Sequence, residues 1–200
     1  MEGSLFFWLS WFIWIYVTFI MDKRNKIRFP LAFFLLTTIC LIGIEVEFFG
    51  LQIAIAAIYL LLLSYLAFLK ESFWNLIYKM ISIFILSAAV AFFFLFSLYD
   101  PVWIFINQEI LFGLFITLLS ILLFTNFKTR LFAVIIGLIQ GEILYGITLN
   151  HLSIHYQIGS LQFMDYLAFT CLLIAIWSGI EYLHILFQHK TYQQEKEKQL

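Results

Sequence analysis

The chain has 200 residues, of which 64% are hydrophobic, 20% aromatic and only 12% charged, with a formal net charge of −1 and a mean hydropathy of +1.01. Soluble domains are about 45–50% apolar and about 25% charged, so a water-soluble globule is excluded. A basic surface for nucleic acid is excluded as well, because acidic and basic residues nearly cancel.

The apolar residues come in blocks that can cross a hydrocarbon core about 30 Å thick at 1.5 Å per helical residue. Without water to satisfy backbone groups, such blocks must be helical. The sequence therefore predicts an all-α, multi-pass transmembrane helical bundle of seven spans. The first covers residues 4–21 and is followed by the basic loop "DKRNKIRF". It has neither a basic leader nor a small-x-small cleavage site, so it is expected to stay as helix one. Trp8 suits the interface on that helix, while Trp11 and Trp14 lie deeper and are expected to pack against a neighbour.

The second span, 30–44, opens on Pro30, a residue favoured at the first helical position. It ends at Glu45 and Glu47. The third covers 51–69 and the fourth 80–98, closed by "YDP". Asp100 and Pro101 read as a cap and first helical residue for the fifth span, 105–124. The sixth runs over 131–149 and the seventh over 163–187. One domain thus occupies 1–188, and 189–200 form a short charged tail.

The charges test this layout. All eleven Lys and Arg residues fall in the loops after spans one, three and five or in the tail. Glu2, Glu45, Glu47, Asp100, Glu109 and Asp165 fall on the opposite side. Basic residues are retained in the cytoplasm, so the N-terminus is expected outside and the C-terminus inside. The basic face should also suit anionic lipid head groups.

Four polar side chains are expected at depth. Gln140 and Glu142 lie in span six, Glu181 and His184 in span seven. Glu142 sits about 16 Å and Glu181 about 10 Å from the basic ends of their helices. A charged form there costs about 2.5–3.5 kcal/mol, which makes each a candidate for function. Ser178, Glu181 and His184 share one stripe of span seven. Joined by the loop "NHLSIHYQIGS", the two spans are expected to turn this cluster of Gln140, Glu142, Ser178, Glu181 and His184 inward. Gly137 and Gly141 form a small-xxx-small pair through which another helix can approach.

Each feature also has a plainer explanation. Glu142 can be an interhelical anchor instead of a proton or ion site. Glu181 and His184 have the i, i+3 spacing of a metal pair, but no second pair accompanies them, so no metal and no cofactor is expected. His151 and His155 read as solvated loop residues. Cys40 and Cys171 lie in apolar runs and read as small hydrophobes. No nucleophile elbow, phosphate loop, HExxH or CxxC occurs, so no catalytic residue is assigned and the chain reads as non-enzymatic.

The opening "MEGSLFFWLSWFIWIYVTFIMDK", the length and the short charged tail resemble the YphA family of small integral membrane proteins of Bacillus and related Firmicutes. That resemblance implies a bacterial cytoplasmic membrane and brings no functional residues with it. The expected role is an accessory or interaction protein whose partners are the lipid bilayer and another membrane protein or a second copy of itself. The alternative is a small proton-coupled transporter using the intramembrane carboxyls.

Overall fold

Three stretches of this chain are helical for longer than a bilayer requires, and everything else is arranged around them. The computed structural model describes residues 2–48, 50–68, 72–100, 102 and 107–198, with side chains outside residues 48 and 189–198. Seven α-helices and three short strands occur among them: α1 (Ser4–Ile15), α2 (Arg28–Leu41), β1 (Glu45–Phe48), β2 (Leu51–Ala54), α3 (Ile55–Leu66), α4 (Phe73–Tyr99), α5 (Gln108–Leu123), α6 (Phe127–His151), β3 (Gln157–Ile158) and α7 (Leu161–Lys198). A π-helical turn, Tyr16–Ile20, prolongs α1. Residues 73–99, 127–151 and 161–188 are long and apolar enough to cross a membrane. The other helices are apolar but shorter; α3, at 12 residues, reaches only about 18 Å.

The core lies between α4, α6, α5 and α7. Leu86, Val90, Phe94, Phe112, Ile116, Val134, Leu138 and Ile174 are buried there. Gly137 and Gly141 set the distance between α4 and α6. A Cβ at Gly141 would lie 2.5 Å from the Val90 Cβ and 2.7 Å from the Ser87 carbonyl oxygen, so nothing larger than hydrogen fits. Around the outside, Trp8, Phe19, Phe29, Trp74, Phe84 and Leu122 are exposed. So much apolar surface would aggregate in water and suits acyl chains. Trp11 and Trp14 pack edge to face on each other, with ring centroids 5.5 Å apart.

The small sheet departs from the all-helical expectation. Residues 51–54, read as the start of span three, instead form β2 and pair antiparallel with β1. "EVEF" and "LQIA" are too short to show a convincing alternation, yet their backbone groups find partners in each other as a hairpin. β3 then joins β2 in parallel, with Gln52 opposite Gln157 and Ile53 opposite Ile158. The sheet thus ties the α2–α3 connection to the α6–α7 connection.

Other boundaries shift for local reasons. α2 begins at Arg28, which puts Pro30 within the first turn, where a missing N–H costs no helical bond. Asp100 closes α4, and its carboxylate accepts from the Val102 N–H at 3.2 Å. The described start of α5 is capped by Asn107, whose side chain accepts from the Glu109 N–H. Pro101 and residues 103–106 lie outside the described residues, as do residues 69–71. The tail does not form a separate segment, because the backbone of α7 stays helical to Lys198. Its Gln, Glu and Lys residues are good helix formers.

Candidate functional site

The polar residues gather at two ends of the bundle. At the acidic end, Glu142 projects from α6 toward the connection to α7. It is fully buried. Its Oε2 accepts the Gly159 N–H at 2.9 Å and its Oε1 accepts the Tyr156 hydroxyl at 3.1 Å. Gly159 has φ +77°, and a Cβ there would lie 2.9 Å from those of Ala54 and Ala57, so glycine is required twice over. Glu142 therefore pins the sheet to the top of α6. Burial, followed by the neighbouring Glu142, holds the Tyr156 hydroxyl well above the usual phenol range, which keeps it a donor.

Close by, Asp165 in the second turn of α7 is buried, and its two oxygens accept the Gly3 N–H at 2.7 Å and the Phe6 N–H at 2.8 Å. These are free donors of the first turn of α1, so a carboxylate from another helix acts as its cap. Between α4, α5, α6, α7 and the α6–α7 connection lies a cavity of about 270 Å³ walled by Phe94, Tyr145, Tyr156, Phe163 and Tyr166.

At the basic end, Arg130 is only 2% exposed. Its Nε and Nη2 donate to the Phe124 carbonyl at 3.1 and 2.9 Å, at the C-terminus of α5. Its Nη1 reaches the Ser178 hydroxyl at 3.4 Å and Glu181 at 3.3 Å. Glu181 also accepts from the Trp177 indole at 2.6 Å. Arg28 does the same work for the first helix, donating to the Val17 carbonyl at 3.1 Å and to the Thr18 carbonyl. Cations at helix C-termini meet both the free carbonyls and the helix dipole.

The cluster expected between spans six and seven is thus divided. Ser178 and Glu181 meet through Arg130. Gln140 donates instead to the Tyr65 hydroxyl of α3. His184 pairs with Gln188 at 2.9 Å, one turn further on and exposed. Glu142 and Glu181 hold different partners at opposite ends of the bundle, since each helix is bonded where its own loop lies. The polar contact between the two helices is made by Arg130, which the sequence presents only as a loop charge. A signal for it exists: Arg130, Gly137 and Gly141 fall on one helical face, at i, i+7 and i+11. Nothing in the sequence marks Tyr156. Among the described residues, no three His, Cys, Asp or Glu side chains gather to hold a metal.

A helical, lipid-clad bundle with its charges sorted to two ends defines an integral membrane protein. The chain belongs to the YphA-like integral membrane protein family, whose model matches residues 2–200. It is 30% identical over 189 residues to a Bacillus subtilis (strain 168) protein described as "Uncharacterized protein YphA", covering 94% of this chain and 92% of that one. No solved structure matches.

Proposed function

We propose that this is a multi-pass protein of the bacterial cytoplasmic membrane that acts as a non-enzymatic accessory or interaction protein. It crosses seven times, with its N-terminus outside and its C-terminus in the cytoplasm. The sorting of charge carries this reading. Gly3, β2, β3 and Asp165 meet at the end with no Lys or Arg, while Arg28, Arg130 and Lys79 lie at the other. That is the distribution retained across a bacterial membrane.

The buried carboxyls support an anchoring role over a carrier. Both oxygens of Glu142 are taken by groups that hold the sheet, and Glu181 is held by Arg130 and Trp177. The two are not linked in a relay. Two measurements test the proposal. A reporter active only in the cytoplasm, fused after Leu200, should be active, and one inserted at Ser153 should be silent; the reverse pattern refutes the topology. Proton flux into proteoliposomes should be no greater for the wild-type chain than for Glu142→Gln. A proton-linked flux that the variant abolishes, at equal expression, establishes the carrier instead.

A further inference from the structure

We propose that the tyrosine-walled cavity at the acidic end is a binding site for a small organic cation with a quaternary or protonated amine head. The first support is the arrangement of rings. Tyr145 and Tyr156 stand at 82° with centroids 5.0 Å apart, and Phe94 and Tyr166 at 69° and 5.6 Å. Phe94 and Tyr145 are tilted at 40° and 5.5 Å. A sugar or a planar base calls for a flat platform. Rings turned in different directions make a cup, which suits a compact, roughly spherical group. At about 270 Å³ the space falls just below the range for ligand pockets, about 300–1,000 Å³, which limits it to a small group.

The second support is the sign of the surrounding charge. Of the remaining described walls, Leu98 and Phe163 are apolar, and Ser97, Gln108, Ser160 and Gln162 are neutral and polar. Behind one wall the Tyr156 hydroxyl donates to Glu142. A phenol that donates to a carboxyl oxygen has a more electron-rich ring, which strengthens attraction for a cation. Beside another wall, Glu109 follows Gln108 at the start of α5 and is half-buried. No Lys or Arg occurs between residues 99 and 109 or between 150 and 165, where His151 and His155 are the basic side chains. Aromatic walls at the end of the bundle that carries the acidic residues favour a cation and disfavour an anion. The Tyr, Gln and Ser groups can then orient whatever hydroxyl or carbonyl the ligand carries.

The test needs no knowledge of the natural ligand. The full chain in detergent micelles is titrated with tetramethylammonium and choline chlorides, with 3,3-dimethylbutan-1-ol as the neutral isostere of choline, and with sodium chloride at matched ionic strength. Thermal unfolding and calorimetry are read. The two ammonium salts should raise the midpoint saturably, and the alcohol and sodium chloride should not. Tyr166→Leu should weaken choline binding about tenfold while Tyr166→Phe stays within about threefold of wild type, because the ring and not the hydroxyl holds the cation. Glu109→Gln, one residue beyond the cavity wall at Gln108, should weaken it by about twofold to threefold. Equal binding of the alcohol and choline overturns the proposal. So does the absence of a saturable shift with either ammonium salt in the wild-type chain, or unchanged affinity in a folded Tyr166→Leu variant.

Discussion

The two ends of the bundle solve the same problem with opposite chemistry. A helix leaves free N–H groups at its start and free carbonyls at its finish. At the acidic end, carboxylates meet the N–H groups: Asp165 takes Gly3 and Phe6 at the start of α1, and Glu142 takes Gly159 beside the sheet. At the basic end, guanidinium groups meet the carbonyls: Arg28 takes Val17 and Thr18 after α1, and Arg130 takes Phe124 after α5. A charge sorted to one end of the bundle is thus also matched to the backbone groups exposed there. Charge sorting and capping are one choice in this chain. The two ends are still not mirror images, because a carboxylate needs only donors, whereas the buried Arg130 has a carboxylate of its own, Glu181.

Removing Arg130 should be the heaviest blow. Arg130→Ala strips the Phe124 carbonyl and Ser178 of their donor and leaves Glu181 with the Trp177 indole alone. Stranding the carbonyl costs about 1–3 kcal/mol and emptying the space of a buried side chain about 2–5, so a loss of about 3–5 kcal/mol is expected. Thermal unfolding in micelles should show a larger drop in midpoint than any single substitution at the acidic end produces. Arg130→Lys should recover only part, because an ammonium cannot span the carbonyl and the carboxylate with one planar fork. Full recovery by lysine would mean that charge alone, and not shape, matters at the basic end.

At the acidic end, Glu142→Ala should cost somewhat less, about 2–4 kcal/mol, since it strands the Gly159 N–H at about 1–3 kcal/mol while the half-buried Tyr156 hydroxyl loses about 1 kcal/mol. Hydrogen exchange should report it locally. The Gly159 amide and the β2–β3 pairing should lose protection while α4 keeps its own. Uniform loss across the whole chain would mean that Glu142 holds the core and not the sheet.

Much of this was legible in the chain. Long apolar runs placed α4, α6 and α7, and the GxxxG spacing marked the face of α6 against which α4 lies. Three things were not. Strands of four residues, as in β1 and β2, carry too little periodicity to compete with an apolar run beside them. The partner of Glu142 is a backbone amide in a loop, and a sequence shows side chains, not free N–H groups. Arg130 was hidden because a basic residue at a helix start looks like any retained loop charge until its face is traced to Gly137 and Gly141.

Smaller effects refine the contrast between the ends. Gly141→Ala should destabilise by about 1–3 kcal/mol through overpacking against Val90, and a compensating Val90→Ala should return part of it. Asp165→Asn keeps one acceptor and loses the charge, so about 1 kcal/mol is expected. The helix affected should be α1, seen as faster exchange at Gly3 and Phe6.

The smallest effect should come from Glu181→Gln, and it bears most directly on what the basic end is built to do. Glu181 is 39% exposed while Arg130 is 2% exposed. A half-exposed ion pair is screened, and its net worth is about 0–1 kcal/mol. The amide can still accept from Arg130 and from the Trp177 indole. If Arg130 is there chiefly to satisfy the Phe124 carbonyl, Glu181→Gln should leave the unfolding midpoint within about 1 kcal/mol of wild type and make it less sensitive to salt. A loss as large as that of Arg130→Ala would reverse the order, making the ion pair the stabilising contact and the carbonyl its by-product.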